Sequence, residues 1–212
     1  MTRSVMDVAI RPLRADELDQ AAAMLARAFL EDPGALIVEP DAGRREAAIL
    51  TLFRPVVRHG LAVGDVTAAA AGDGAVMGIA TWLPPGRVIP TEEEIAAAGL
   101  LEAIAREPAA ADRMAPMVAY LDAQMERAID RPHWRMEFFG VEPSHQGTGI
   151  GSRLVAPGHA RADANGEPCY LETFTRKNVA WYERRGYRVA TEGVVPGTDV
   201  PVWGLIREPQ SG

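Results

Sequence analysis

What this chain lacks narrows its class before any motif is read. It has one cysteine, Cys169, in 212 residues. A single thiol excludes an internal disulfide and supplies too few ligands for a cysteine-based structural zinc site. His59, His133 and His159 share no metal-ligand spacing, so no metal is expected. The net charge is −7, which argues against a partner held through nucleic-acid phosphates. No apolar run is long enough to span a bilayer, and the opening MTRSVMDVAIRPLR has no signal-peptide apolar region. The expectation is a cytoplasmic protein with no membrane partner, a monomer or homodimer. Internal repeats and low-complexity tracts are absent too. What remains is 48% hydrophobic and 24% charged, the balance of an ordinary globular chain, long enough for one sizeable core.

The periodicities give an element order. Val8–Leu13 reads as a strand, and Asp16–Leu30 as a helix with Leu18, Ala22, Leu25 and Phe29 on its buried face. EDPG ends that helix. A second helix is expected from about 43 to 59, with Gly60 as terminator. LAVGDVTAAA and AVMGIATWL are strands joined by a turn. A helical region follows, with a capping box at Thr91 and Glu94 and a helix over 109–129. Then come the strand His133–Val141, a helix ending near Asn165 and Gly166 that Pro157 should kink, the strand PCYLETF, a short helix over 178–185, and two closing strands. Parallel crossover and hairpins together predict an α+β fold with a mixed, mainly antiparallel central sheet flanked by helices. The expected organisation is a single domain over 1–212, with a helical insert at about 84–132.

Between the strand ending at Val141 and the next helix lies HQGTGIGS, with Gly147, Gly149 and Gly151 at alternate positions. A helix start offers unpaired amides and a positive dipole end, and glycines let a diphosphate lie against them. The mononucleotide P-loop needs a lysine that is missing here. The dinucleotide fingerprint needs a glycine where Ser152 stands, although Glu172 ends the next strand as a ribose-binding acid would. The pattern Q-x-x-G-x-G is satisfied by Gln146, Gly149 and Gly151.

With FFGVEP before it and WYERRGY after it, this stretch resembles the GNAT superfamily of acyl-CoA N-acyltransferases, most of all its puromycin N-acetyltransferase branch. AFLEDP, Thr81–Trp82, PCYLET and VPVW add to the likeness. The resemblance implies acetyl-CoA as co-substrate, a splayed strand pair forming the acyl-CoA cleft, and a small-molecule amine as acceptor. It implies that Phe139, Gly140 and Val141 pair with the pantetheine arm as an added strand. It further implies that Gln146, Gly147, Thr148, Gly149, Ile150, Gly151 and Ser152 hold the pyrophosphate, with Arg153 near a phosphate. Asn178 would reach the pantetheine or thiol end, four residues before Tyr182 where the commoner family form has seven. Tyr182 matches the tyrosine that protonates the departing thiolate.

Direct attack on a thioester needs a neutral amine, an oxyanion site and an acid for the thiolate. Backbone amides near Val141 suit the oxyanion, and Tyr182 suits the acid. Glu137 is the first choice of base, since period-2 geometry puts it on the face of Phe139; Glu172 is the second. A solvated Glu137, or one paired with Arg135, is the bland alternative. Cys169 reads as a small buried hydrophobe and not as a nucleophile. Phe29, Trp82 and Tyr120 are candidate aromatic walls for the acceptor, and Glu31, Asp32 or Glu92–Glu94 candidate attractors of a cation. The competing readings are a catalytically silent acyl-CoA sensor and, behind it, a dinucleotide-binding protein.

Overall fold

A computed structural model of the chain describes residues 8–210. The elements run β1 (Ala9–Pro12), α1 (Leu18–Phe29), α2 (Pro33–Val38), α3 (Ala42–Val63), β2 (Asp65–Ala70), β3 (Val76–Leu83), α4 (Glu92–Ala98), α5 (Leu100–Arg106), α6 (Pro108–Ala128), β4 (Trp134–Val141), α7 (Ile150–Asn165), β5 (Cys169–Thr173), α8 (Arg176–Glu183), β6 (Tyr187–Val194) and β7 (Pro201–Arg207). The strands form one seven-stranded sheet in the order β1-β2-β3-β4-β5-β7-β6. Every pairing is antiparallel except β4 with β5. This is the expected α+β architecture, and it is not the parallel sheet a dinucleotide-binding fold requires.

Helices cover both faces. On one, α7 and α8 close over Trp82, Met136, Leu171 and Leu205. On the other, α1 and α3 cover Val66, Ile79 and Phe138, and α6 covers Tyr170 and Ile206 through Met125. Two glycines set how closely helix meets sheet. A Cβ on Gly158 of α7 would lie 2.3 Å from the Trp82 ring, and one on Gly60 of α3 would lie 2.6 Å from Thr81 Cγ2. Gly60 is therefore a packing position inside α3, which runs on to Val63; β2 starts only at Asp65, so Leu61–Val63 belong to the helix and not to the strand.

A second departure follows α1. The stretch EDPG does end that helix, but it also begins another. Asp32 is the N-cap of α2, accepting from the Gly34 amide at 2.9 Å, and Pro33 opens the helix. Proline suits the first helical turn, where its missing N–H costs nothing. The capping box at Thr91 and Glu94 is present as expected. So is the end of α7, with Gly166 in the left-handed region at φ 67°. α7 continues as one helix through Pro157.

Candidate active site

The sheet splits between its two parallel strands. β4 and β5 pair only at Trp134↔Cys169 and Arg135↔Tyr170. Beyond that point β4 follows β3 as far as Val141, while β5 follows β7 as far as Thr173. The β5-facing edge of Met136–Val141 is left without a ladder partner, an edge that an extended ligand can pair with as an added strand.

The glycine loop closes one end of this split. A short 3-10 turn, Pro143–His145, follows β4, and Gly149 then caps α7 with no side chain bonded to the first amides. Gly147 and Gly149 adopt φ of 75° and 90°, with open space where a Cβ would lie. Their role is conformational, since only glycine takes these angles freely. Gly151 is there for another reason: a Cβ would sit 3.0 Å from Phe139 Cζ and 3.5 Å from Trp181 Cζ2. Side chains hold the loop in shape. Gln146 Nε2 donates to the Val141 carbonyl at 3.2 Å, and Thr148 Oγ1 to the His145 carbonyl at 2.6 Å. An exposed row of amides at a helix start, cleared of side chains, fits a diphosphate. Arg153 is aimed elsewhere, its Nη2 bonded to the Val8 carbonyl at 2.6 Å.

α8 lines the same side of the split. Its N-cap Thr175 accepts from the Asn178 amide, and Asn178 Nδ2 donates to Thr173 Oγ1 at 3.0 Å, at the free end of β5. Trp181 stacks on Phe139 with ring centroids 5.4 Å apart. Tyr182 is buried, packed edge-on against Trp181 and Tyr187 at 5.0 and 5.5 Å. Burial raises its pKa, and the charge of Asp32 raises it further against the opposing pull of Arg185. A tyrosine so placed stays protonated at neutral pH.

Asp32 is the acid that sequence reasoning placed only as a possible attractor of cations. Burial pushes its pKa up to about 6, against the bonds from the Gly34 and Ala35 amides. Phe174, just past β5, packs where a Cβ on Gly34 would lie, at 2.9 Å, and so holds this helix start against the end of β5. The signal was present in Asp32-Pro33, an N-cap followed by an N1 proline, which was read only as a stop.

The opposite side of the split is charged. Arg135 Nη1 pairs with Asp122 of α6 at 2.9 Å and Nη2 with Glu172 at 3.1 Å; Nη1 also meets the Val88 carbonyl at 3.2 Å. Glu137 stands beside this group without an ion pair among the described residues, and its Oε2 is buried with no hydrogen-bond partner. Burial raises its pKa to about 7, against the lowering influence of Arg135. Glu172 is raised by burial as well, again opposed by Arg135. The two candidate bases thus differ: Glu172 is committed to Arg135, and Glu137 is free to accept a proton.

The expected placement of Glu137 on the face of Phe139 is wrong. The register of β4 against β3 shifts at Thr81↔Phe138 and Trp82↔Met136, a bulge with Glu137 as its extra residue. Met136 and Phe139 both pack with the α7–α8 cluster, three residues apart instead of two. The bulge moves Phe139 to the face of Met136, while Glu137 keeps the side of Arg135 that period-2 alternation gives it.

Other candidates are structural. Trp82 is 0% exposed beneath α7, and Phe29 packs on Phe53 and Phe138 in the core. Trp82 is thus closed off from any acceptor, whereas Phe29 is only half-buried. Tyr120 Oη accepts from Gln124 Nε2 at 2.9 Å on the side of α6 that faces β6. Glu94 is taken up by its capping box and by Arg87. Cys169 is buried, and burial raises its pKa to about 12, which makes it a poor nucleophile. No helix among the described residues is long and apolar enough to cross a membrane.

A mixed sheet thus opens between two parallel strands, with a glycine-rich helix start at the opening. Residues 109–189 match the family model described as "Acetyltransferase (GNAT) domain". The chain is 26% identical over 215 residues to an uncharacterized N-acetyltransferase of Schizosaccharomyces pombe, covering 96% of this chain and 85% of that protein. Its fold is similar to that of a histone acetyltransferase HPA2 and related acetyltransferase from Corynebacterium glutamicum (TM-score 0.64, 23% identity, 98% of this chain and 99% of that one). It is also similar to arylalkylamine N-acetyltransferase 2 from Aedes aegypti (TM-score 0.62, 12% identity, 96% and 100%). Residues 109–189 are thus similar to a GNAT acetyltransferase domain, and the fold of the chain is similar to those of the two solved acetyltransferases.

Proposed function

We propose that the protein is an N-acetyltransferase that moves an acetyl group from acetyl-CoA to a primary amine of a small molecule by direct attack. The observation that carries this is the split itself: one opening with a diphosphate-sized amide cradle at its end, a protonated tyrosine on one side and an unpaired carboxylate on the other. The sensor reading would need the cradle alone and gives no role to Tyr182 and Glu137.

Acetyl-CoA supplies the thioester. The free edge of Phe139–Val141 and the amides of Gln146–Ser152 hold the coenzyme, and Asn178 stands at the thiol end. The amine nitrogen bonds to the thioester carbon, and the C–S bond then breaks. Tyr182 gives its proton to the leaving sulfur, while Glu137 takes the proton that the amine nitrogen loses, directly or through water. Backbone amides beside Val141 stabilise the oxyanion. Exchange with solvent returns both side chains to their starting states. The helical region 84–132 shapes the acceptor site by bringing Asp122 to the charged side, and the acids there favour a cationic acceptor.

Support for a small amine comes from this acidic surface and from the likeness to an arylalkylamine enzyme. Acceptors, aminonucleosides and arylalkylamines among them, can be screened by thiol release from acetyl-CoA. Thiol release that depends on an amine is the expected result. Calorimetry showing no binding of acetyl-CoA would reject the proposal, and binding without turnover across a broad amine panel would favour the sensor.

A further inference from the structure

The end of α8 carries a cation that this mechanism leaves unused. Arg185 lies flat on Trp181, its guanidinium carbon 3.3 Å from the ring centroid. Its Nη1 donates to the Trp181 carbonyl at 2.7 Å, and its Nη2 donates to the Ser152 hydroxyl. Ser152 stands in the first turn of α7, directly after the three glycines. Trp181 is itself fixed by its stack on Phe139. The guanidinium is thus positioned by an indole, a carbonyl and a hydroxyl, and it takes part in no ion pair among the described residues. Arg207, by contrast, is spent on Asp163 at 2.7 Å, and Arg135 on Asp122 and Glu172.

This arrangement is unusual in a chain of net charge −7. Burial and the like charge of Arg184 both work against Arg185, lowering its pKa. An anion beside it would reverse that repulsion. An arginine already stacked in place loses little further freedom on binding, and its remaining N–H groups form a fork suited to phosphate oxygens. Its bond to Ser152 ties the guanidinium to the first turn of α7, the turn whose amides form the cradle.

We propose that Arg185 is a phosphate-binding residue for the nucleotide end of coenzyme A, so that it sets selectivity for the full coenzyme over shorter pantetheine thioesters. This rests on the coenzyme A reading above. Two phosphates qualify by chemistry, the diphosphate and the 3′-phosphate.

The test compares the parent with Arg185→Met, which keeps an apolar stem over Trp181, and with Arg185→Lys, which keeps the charge. Calorimetry with CoA and dephospho-CoA is paired with kcat/KM for acetyl-CoA and acetyl-pantetheine, and circular dichroism checks the fold. A charge-assisted contact of this kind is worth about 10- to 100-fold in affinity. Arg185→Met should weaken CoA by that factor and change kcat/KM for acetyl-pantetheine less than about twofold. Arg185→Lys should recover most of the loss. A loss that disappears with dephospho-CoA assigns the 3′-phosphate, and one that persists assigns the diphosphate. Equal losses with acetyl-pantetheine, or no loss with CoA, would overturn the proposal while leaving the acetyltransferase reading intact. A parent that binds no CoA would remove both.

Discussion

The two sides of the split in the sheet are built from different materials. The side that includes Phe139, Trp181 and the loop of Gly147–Gly151 offers backbone amides, aromatic faces and glycines. The other side offers Arg135, Asp122, Glu137 and Glu172, ionisable side chains brought together from β4, β5 and α6. Backbone recognition suits a ligand that never changes, because any residue sequence presents the same amide. Side-chain recognition suits a ligand that differs from one enzyme to the next, because a few substitutions rewrite it. On the function proposed above, the first side would take the constant coenzyme and the second the variable acceptor.

The strongest way to break this comparison is to remove the charge at the centre of the second side. Arg135 is the counter-ion for Asp122 and Glu172 and the cation that draws down the pKa of Glu137. Arg135→Met would leave buried carboxylates uncompensated, and losing one partner of a buried pair costs about 3–5 kcal/mol. Urea unfolding at pH 8 should register a loss of that size. The folded fraction should still bind CoA like the parent, since the loop lies on the other side. Weakened CoA binding in proportion to the stability loss would mean that the two sides are one unit.

Next in size are the proton-transfer residues, one on each side. Tyr182→Phe should lower kcat by about 100-fold with acetyl-CoA affinity unchanged; an unchanged kcat removes Tyr182 from the mechanism. Glu137→Gln is read through pH. The Glu137 carboxyl titrates near 7 in the folded protein, so the basic form is lost as pH falls through that value, and kcat/KM should fall with it. The variant should lack this limb. A limb near 6 that survives in Glu137→Gln and vanishes in Asp32→Asn would transfer the role to Asp32, whose pKa is pushed up to about 6. The sign for stability is opposite. Because the folded pKa of Glu137 lies above its unfolded value, this group withdraws stability as pH rises from about 4.5 to 7, and Glu137→Gln should abolish that contribution.

The same division explains what could be read from the sequence. The order of elements along the chain, the glycine loop and the short helix that carries Tyr182 were legible because their information is local: alternating apolar runs, three glycines within five residues, an apolar and aromatic run in a short helix. The charged side was legible only in part. Glu137 and Glu172 stood out as acids on flanking strands, but Asp122 gave no sign of its partner, since the contact spans 13 residues of chain and depends on how α6 lies across the sheet. The bulge at Glu137 was missed although Trp134 and Met136 stand at even positions and Phe139 and Val141 at odd ones: Phe138, apolar as well, masks that change of phase, and the extra residue shows plainly only against the register of β3. Gly60 misled for a related reason. A glycine kept for close packing on Thr81 looks, in sequence, like one kept to end a helix.

Gly151 supplies the smallest and sharpest test, because two effects of similar size oppose each other there. It is the second residue of α7. By backbone entropy alone, Gly151→Ala in a helix should stabilise by about 0.5–1 kcal/mol. Against that stands the new methyl, 3.0 Å from Phe139 Cζ and 3.5 Å from Trp181 Cζ2. Crowding of this kind costs about 1–3 kcal/mol when the neighbours are locked. Both rings are tied to each other by stacking and neither is fully buried, so relief should come from a shift of the pair by tenths of an ångström. The expected balance is a stability change within about 1 kcal/mol of the parent, with a several-fold loss of CoA affinity, since the pair that moves lies along the free edge of β4. A stabilised variant with unchanged affinity would show that the aromatic pair and the glycine loop are independent. The backbone side of the split would then consist of the amides alone.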